Sequence, residues 1–206
     1  GGDDIWPDAG NWGFGECFKE LVQWGSYPMY NGGAPVEDTP AIITATDAPV
    51  YKDDTYNLGT KFGTFRTPAY IPGIENWDVS NVRSFTFAFM YNSNFNQDIS
   101  GWNTGKATRM IYMFQAADAF NQDISGWNVS NVTDMNSMFR YADAFNQDIS
   151  GWNVSNVTNM NYMFNYTKAF NRDLSGWCVQ NISTAPAGFA DNSVYTLPKP
   201  VWGTCP

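Results

Sequence analysis

In SNVTDMNSMFRYA (130–142) the apolar residues Val132, Met135, Met138 and Phe139 fall at i, i+3, i+6 and i+7. That spacing gathers them on one face of a short helix or of successive 3₁₀ turns. Asn131, with Asp134 three residues on, resembles a capping box with Asp in place of the usual Glu. The helix so begun should end near Asp143, because the period then changes. In AFNQDIS (144–150), Phe145, Gln147 and Ile149 alternate with Asn146, Asp148 and Ser150, like the two faces of a strand. Ser150-Gly151 reads as a turn in which Gly supplies a backbone angle that other residues reach only at a cost. One unit therefore reads turn, short helix, short strand.

The unit recurs. FNQDISGWNVSNV occupies 120–132 and again 145–157, with FNQDISGWNTGKA at 95–107 and FNRDLSGWCVQNI at 170–182. Trp77, Trp102, Trp127, Trp152, Trp177 and Trp202 keep one 25-residue register without insertion or deletion, and Phe89, Phe114, Phe139, Phe164 and Phe189 keep a second. A fixed period of this length marks a solenoid, in which each repeat buries its apolar face only against its neighbours. The expected architecture is an α/β solenoid. It has parallel strands near 95–99, 120–124, 145–149 and 170–174, and helical segments near 82–90, 107–115, 132–140 and 157–165.

The motifs FNQDISGWNVSNVT and NVTDMNSMF resemble the 25-residue repeats of bacterial surface proteins, the BspA-like, mycoplasma-lipoprotein type of leucine-rich repeat. The resemblance runs over about 74–206, and the ending WCVQNIS…LPKPVWGTCP is similar to the cap that closes such arrays. It implies a right-handed, leucine-rich-repeat-like array with a parallel sheet, secretion or surface display, a role in adhesion or recognition, and no catalysis. The chain then divides into a non-repeat N-terminal part (1–73), the repeat array (74–177) and a C-terminal cap (178–206).

Residues 1–73 hold no copy of the repeat. FGECFKELVQWG (14–25) predicts a helix through Phe18, Leu21 and Val22, NGGAPVEDTP (31–40) a loop, and AIITATDAPVY (41–51) and GTKFGTFR (59–66) short strands. This part either covers the first coil or carries an attachment or assembly surface. Of the three cysteines, Cys178 and Cys205 stand 27 residues apart, so that a bridge between them would fasten the cap to the array. Two independent buried thiols are the alternative. Cys17 is left as a buried free thiol or an intermolecular link.

Charge and composition narrow the function. Eleven Lys and Arg against twenty Asp and Glu give a formal net charge of −9, a surface that repels nucleic acid and anionic headgroups. No apolar run approaches the roughly 18 residues that span a bilayer. GGDDIWPDAG has neither the basic region nor the apolar core of a signal peptide, which implies one already removed or another export route. The chain has no histidine, which removes Ser-His-Asp and Cys-His nucleophiles and His-ligated metals. Paired carboxylates could still hydrolyse glycosides. The repeat, however, generates Asp98, Asp123, Asp148 and Asp173 as identical members, with none set apart as acid or nucleophile. The expectation is a non-enzyme.

That Asp column needs its repulsion relieved. Hydrogen bonds from turn backbone, or from Asn and Ser of the next coil, would do so. A Ca²⁺ ladder is the alternative, since hard oxygen ligands suit that ion, with Arg172 ending the column as a built-in cation. The Asn column (Asn96, Asn121, Asn146, Asn171) either satisfies backbone at the turns or forms a polar platform. The Trp column reads as core, with an exposed track for sugar rings as the alternative. Positions that differ between copies, and among them Tyr112, Arg140, Tyr141, Tyr162 and Tyr166, mark the expected partner-binding surface, since Tyr and Arg anchor interfaces. Three functions fit: an extracellular adhesion or recognition module for a protein or glycan partner, a self-assembling structural subunit of a virion or filament docked through 1–73, and a carbohydrate-binding module of a secreted protein.

Overall fold

The computed structural model describes residues 20–21, 42–43, 70–71 and 73–206. Cys17, the loop at 31–40 and the strand at 59–66 lie outside the described residues. Within the helix expected at 14–25, Glu20–Leu21 is instead a two-residue strand, β1, paired in parallel with β2 (Ile42–Ile43), which falls inside the strand expected at 41–51.

From residue 73 on, the chain winds in stacked 25-residue coils, but the coils are built neither of helix nor of sheet. Among the described residues the one helical element is a 3₁₀ turn at Ile74–Asn76. The helices expected at 82–90, 107–115, 132–140 and 157–165 are replaced by consecutive β-turns. In the coil of Met135, Met138 N donates to Met135 O (3.2 Å) and Arg140 N to Ser137 O (3.2 Å), closing turns. The amides between them point the other way along the stack: Ser137 N reaches Asn161 O (2.8 Å) and Phe139 N reaches Met163 O (3.0 Å) on the next coil. The backbone reason is a left-handed residue at every fourth position. Phe87, Tyr112, Ser137 and Tyr162 have φ of 66, 55, 53 and 59°, and Tyr91, Ala116, Tyr141 and Tyr166 have 61, 53, 58 and 60°. A helix cannot pass through such residues, so alternate amides leave the coil to find carbonyls on its neighbour. The capping box expected at the helix start is likewise absent. Asp134 Oδ1 accepts from Asn136 N (2.9 Å), and Asn131 Nδ2 donates to Gly105 O of the preceding coil (2.7 Å).

The parallel sheet is overturned too. Parallel backbone pairing between coils shrinks to one residue per coil, in the bridges Ser84↔Arg109, Arg109↔Asp134 and Asp134↔Asn159. Along 95–99 and its copies, side chains take the place of the ladder. Asn121 N donates to Asn96 Oδ1 (2.9 Å) and Gln122 Nε2 to Asn96 O (2.8 Å), and Asn146 and Gln147 repeat this on Asn121 (2.9 and 2.6 Å). An amide side chain that supplies the acceptor keeps the extended segments in register without a strand pair. The α/β solenoid read from the sequence is therefore corrected to a stack of turn-rich coils. Nor does the Ser-Gly turn draw on glycine's freedom: Gly101, Gly126, Gly151 and Gly176 are not among the positive-φ residues, and a Cβ on any of them would meet nothing within 4 Å.

The core is a set of aromatic columns. Trp102 and Trp127 stack at 6.3 Å and 4°, and Phe139 and Phe164 at 5.7 Å and 3°. Within a coil the rings interlock, as Phe139 does on Phe145 at 3.9 Å. Each such ring buries about 150–250 Å². The indole N–H groups of Trp102, Trp127, Trp152 and Trp177 donate to the carbonyls of Ile74, Ile99, Ile124 and Ile149 (2.9–3.1 Å), so the one polar atom of each buried ring is satisfied by the coil before. At the C-terminal end the stacking stops. Phe189 and Tyr195 meet Phe164 and Phe170 edge-on, at 88° and 84°. A disulfide joins Cys178 to Cys205 beneath this end.

Candidate recognition surface

The left-handed positions that break the helix also set the surface. Each such non-Gly residue costs about 1–2 kcal/mol of backbone energy, and ring contacts offset part of it. Tyr141 stacks on Tyr166 at 4.8 Å, and Phe87 on Tyr112 at 5.3 Å. Tyr91, Tyr141, Tyr162 and Tyr166 are 37–47% exposed, the large aromatic side chains this part of the molecule offers to solvent.

Arg140 ties two of them together. Its guanidinium carbon lies 5.0 Å from the Tyr141 ring centroid and 5.5 Å from that of Tyr162, and its Nε donates to Asn165 Oδ1 (3.2 Å). Cation–π contacts of this kind are worth about 0.5–1 kcal/mol when exposed. Tyr162 is held from the other side by Gly188, where a Cβ would fall 2.5 Å from the ring's Cδ1. Of the residues expected on the partner surface, Arg140, Tyr141, Tyr162 and Tyr166 thus form one patch, while Tyr112 is half-buried and stacked on Phe87. Sequence reading missed Tyr91, whose hydroxyl accepts from Gln115 Nε2 (3.3 Å). The 25-residue register could have found it, since Tyr91, Tyr141 and Tyr166 share one column. Beside the patch, Gln115 Oε1 is buried without a partner.

The repetitive side is exposed at its Asp column, but its carboxylates are bonded to their own turns. Asp98, Asp123, Asp148 and Asp173 each accept from the backbone N–H two residues on, of Ser100, Ser125, Ser150 and Ser175 (2.9–3.0 Å). Hydrogen bonds from those serines hold all four carboxyls below the usual range, and for Asp123 the repulsion from Asp98 is the weakest influence. The hydrogen bonds within each turn outweigh the repulsion that a Ca²⁺ ladder was to relieve. Among the described residues no group of three or more Cys, Asp or Glu side chains is placed to hold a metal ion. Arg172 acts on the Asp column weakly, its charge being the last of the influences on Asp148. Its Nε and Nη2 donate to Asn146 O (2.9 and 2.7 Å), the task Gln122 and Gln147 perform in their coils. Trp77, Trp102, Trp127, Trp152 and Trp177 are at most 4% exposed and Trp202 is partly buried, so the column offers no track for sugar rings.

Among the described residues no helix is long and apolar enough to cross a membrane. A family model described as Mycoplasma protein of unknown function, DUF285, matches residues 56–177 and, in an overlapping placement, 102–202. The match begins inside the segment that sequence reading left outside the repeat. No curated protein matches the chain, and no solved structure does.

Proposed function

The chain belongs to the family of Mycoplasma proteins of unknown function, DUF285, and from the patch it displays we propose that it is a non-enzymatic, extracellular recognition module that binds a protein partner through Tyr141, Tyr162, Tyr166 and Arg140. The likeness of FNQDISGWNVSNVT to BspA-like surface proteins supports surface display and adhesion. The observation that carries the reading is the patch itself. Tyr141, Tyr162 and Tyr166 stand exposed on left-handed backbone positions, and the guanidinium of half-buried Arg140 lies against two of them. Tyr and Arg are among the types richest in binding hot spots. A protein partner fits better than a glycan, because Tyr141 and Tyr166 spend their faces on each other. What they offer outward is edges and hydroxyls rather than platforms for sugar rings.

The test is binding of the labelled chain to an array of host cell-surface proteins and, in parallel, to a glycan array. Protein binding is expected, and Tyr141→Ala/Tyr166→Ala is expected to lose at least tenfold in affinity. Binding to glycans alone, or protein binding that the double variant leaves unchanged, overturns the assignment.

A further inference from the structure

The single-residue ladder that joins the coils is interrupted at one step. Thr108 N donates to Arg83 O (2.7 Å), Thr133 N to Thr108 O (2.9 Å) and Thr158 N to Thr133 O (2.9 Å), while Met110 N reaches Asp134 O (3.0 Å) and Met135 N reaches Asn159 O (2.9 Å). The next step would pair Asn159 with Thr184, its counterpart 25 residues on. That pair does not form. Neither Thr158 O nor Met160 N meets a partner among the described residues.

The sequence explains the gap. Met110, Met135 and Met160 are buried at one column position, and Ala185 follows them there without a side chain long enough to reach the core. Pro186 comes next, with no N–H, and it forces the residue before it into extended backbone. Ser183, Thr184 and Ala185 accordingly stand exposed. This is no frayed end, because the coils rejoin on both sides. Asn181 Nδ2 donates to Ser155 O (2.7 Å), Tyr162 N to Ala187 O (2.8 Å), and Ala187 N to Asn161 Oδ1 (2.8 Å). Between these closures lies a cleft of about 350 Å³, lined by Thr158, Asn159, Asn161, Asn181, Ser183 and Thr184 among others.

We propose that this cleft takes the main chain of an extended peptide from a partner protein, which completes the ladder by a parallel bridge to Asn159. An occupant must bring one N–H for Thr158 O and one C=O for Met160 N, in the register that Thr158 and Asn159 themselves use on Thr133 and Met135. Two adjacent residues of an extended chain supply that pair, the mode by which peptides add to open strand edges. A lone ion satisfies only one of the two. The hydroxyl and amide side chains of the lining suit small polar residues such as Ser, Thr and Asn rather than bulky apolar ones. Unpaired main-chain groups in a partly enclosed cleft favour any occupant that pairs them both. The cleft adjoins the Tyr–Arg patch at Tyr162, whose N–H closes one end on Ala187 O, but its occupation does not rest on the function proposed for that patch.

The chain itself supplies the probe, because SNVTNMN (155–161) already forms this bridge with the coil before it. An acetylated and amidated peptide of that sequence is titrated into the ¹⁵N-labelled full chain. The Met160 amide resonance is expected to shift and its hydrogen exchange to slow at least tenfold, with Met110 and Met135 unmoved. N-methylation of the peptide's threonine, which removes the donor to Thr158 O, is expected to weaken binding at least tenfold. An unmoved Met160 resonance at millimolar peptide, equal binding of the N-methylated peptide, or a Met160 amide as slow to exchange as that of Met135 without peptide overturns the proposal.

Discussion

Each coil carries two stretches that obey opposite rules. Along FNQDISGW a side chain of each coil accepts from the backbone of the next: Asn96 Oδ1 from Asn121 N, Asn121 Oδ1 from Asn146 N, Asn146 Oδ1 from Asn171 N, and Asn171 Oδ1 from Thr196 N. Any residue but Pro can give this bond from its backbone, but the acceptor must be a short polar side chain at every step, which is why the Asn repeats. Along the turn wall the bonds that recur in every coil come from backbone amides, while the side chains add different ones, Gln115 Nε2 to the Tyr91 hydroxyl and Arg140 Nε to Asn165 Oδ1. No one side-chain bond recurs there from coil to coil, so Gln115, Arg140 and Asn165, or Ala116 and Tyr141, can share a column. Repetition in this chain records mutual bonding, and variation records freedom to face a partner.

The comparison breaks most visibly at the core shared by both stretches. Trp127 is buried between Trp102 and its own coil's neighbours and donates its indole N–H to Ile99 O (3.1 Å). Trp127→Ala should cost about 3–5 kcal/mol by cavity formation, read as a lower midpoint in urea unfolding. A loss below 1 kcal/mol would mean that the columns do not carry the stack.

The next largest effect separates the two stretches themselves. Asn121→Ala removes the acceptor for Asn146 N and Gln147 Nε2, leaving an unpaired amide at a cost of about 1–3 kcal/mol. Gln147→Arg should stay within about ±0.5 kcal/mol, as surface changes that keep their contacts do, because Arg172 already shows that a guanidinium reaches the same carbonyl. Equal losses in the two variants, measured by thermal melts, would sink the idea that the bond rather than the letter is what repeats.

The sequence made the period and the apolar columns legible, because register at 25 residues is arithmetic. The Cys178–Cys205 bridge was legible from the position of the two cysteines. The local structure was not. Val132, Met135, Met138 and Phe139 at i, i+3, i+6 and i+7 satisfy a helix and a run of β-turns equally well, and what separates the two is φ > 0 at Ser137 and Tyr141. Neither residue is Gly or Asn, the usual signs of a left-handed position. Likewise the alternation of Phe145, Gln147 and Ile149 reports an extended chain but not what pairs with it. That Asn146 Oδ1 replaces a strand partner emerges only once adjacent coils are placed together. The patch was half legible: variable columns with Tyr and Arg were visible, while the seat of Tyr162 on Gly188 was not.

The smallest effect tests whether the Asp column is charge or hydrogen bond. Asp98, Asp123, Asp148 and Asp173 have folded-state pKa values below the unfolded one through their serine hydrogen bonds. Their contribution is therefore present above the unfolded value of about 3.9 and is lost as pH falls through the lower folded values. Asp118, whose carboxyl burial and Asp143 push up, has the opposite sign and a different range, costing stability as pH rises from the unfolded value towards its higher folded one. Asn can serve as the acceptor in such a turn, for Asn128 and Asn153 already take the N–H of Ser130 and Ser155 (3.1 and 3.2 Å). Replacing all four Asp by Asn should thus leave the melting temperature near neutral pH almost unchanged and flatten its fall below the unfolded carboxylate value of about 3.9. Added Ca²⁺ should shift neither protein. A calcium-dependent rise in the melting temperature of the parent chain, absent from the Asn variant, would return the column to the role of a cation ladder and make its repetition a matter of ligation rather than of turns.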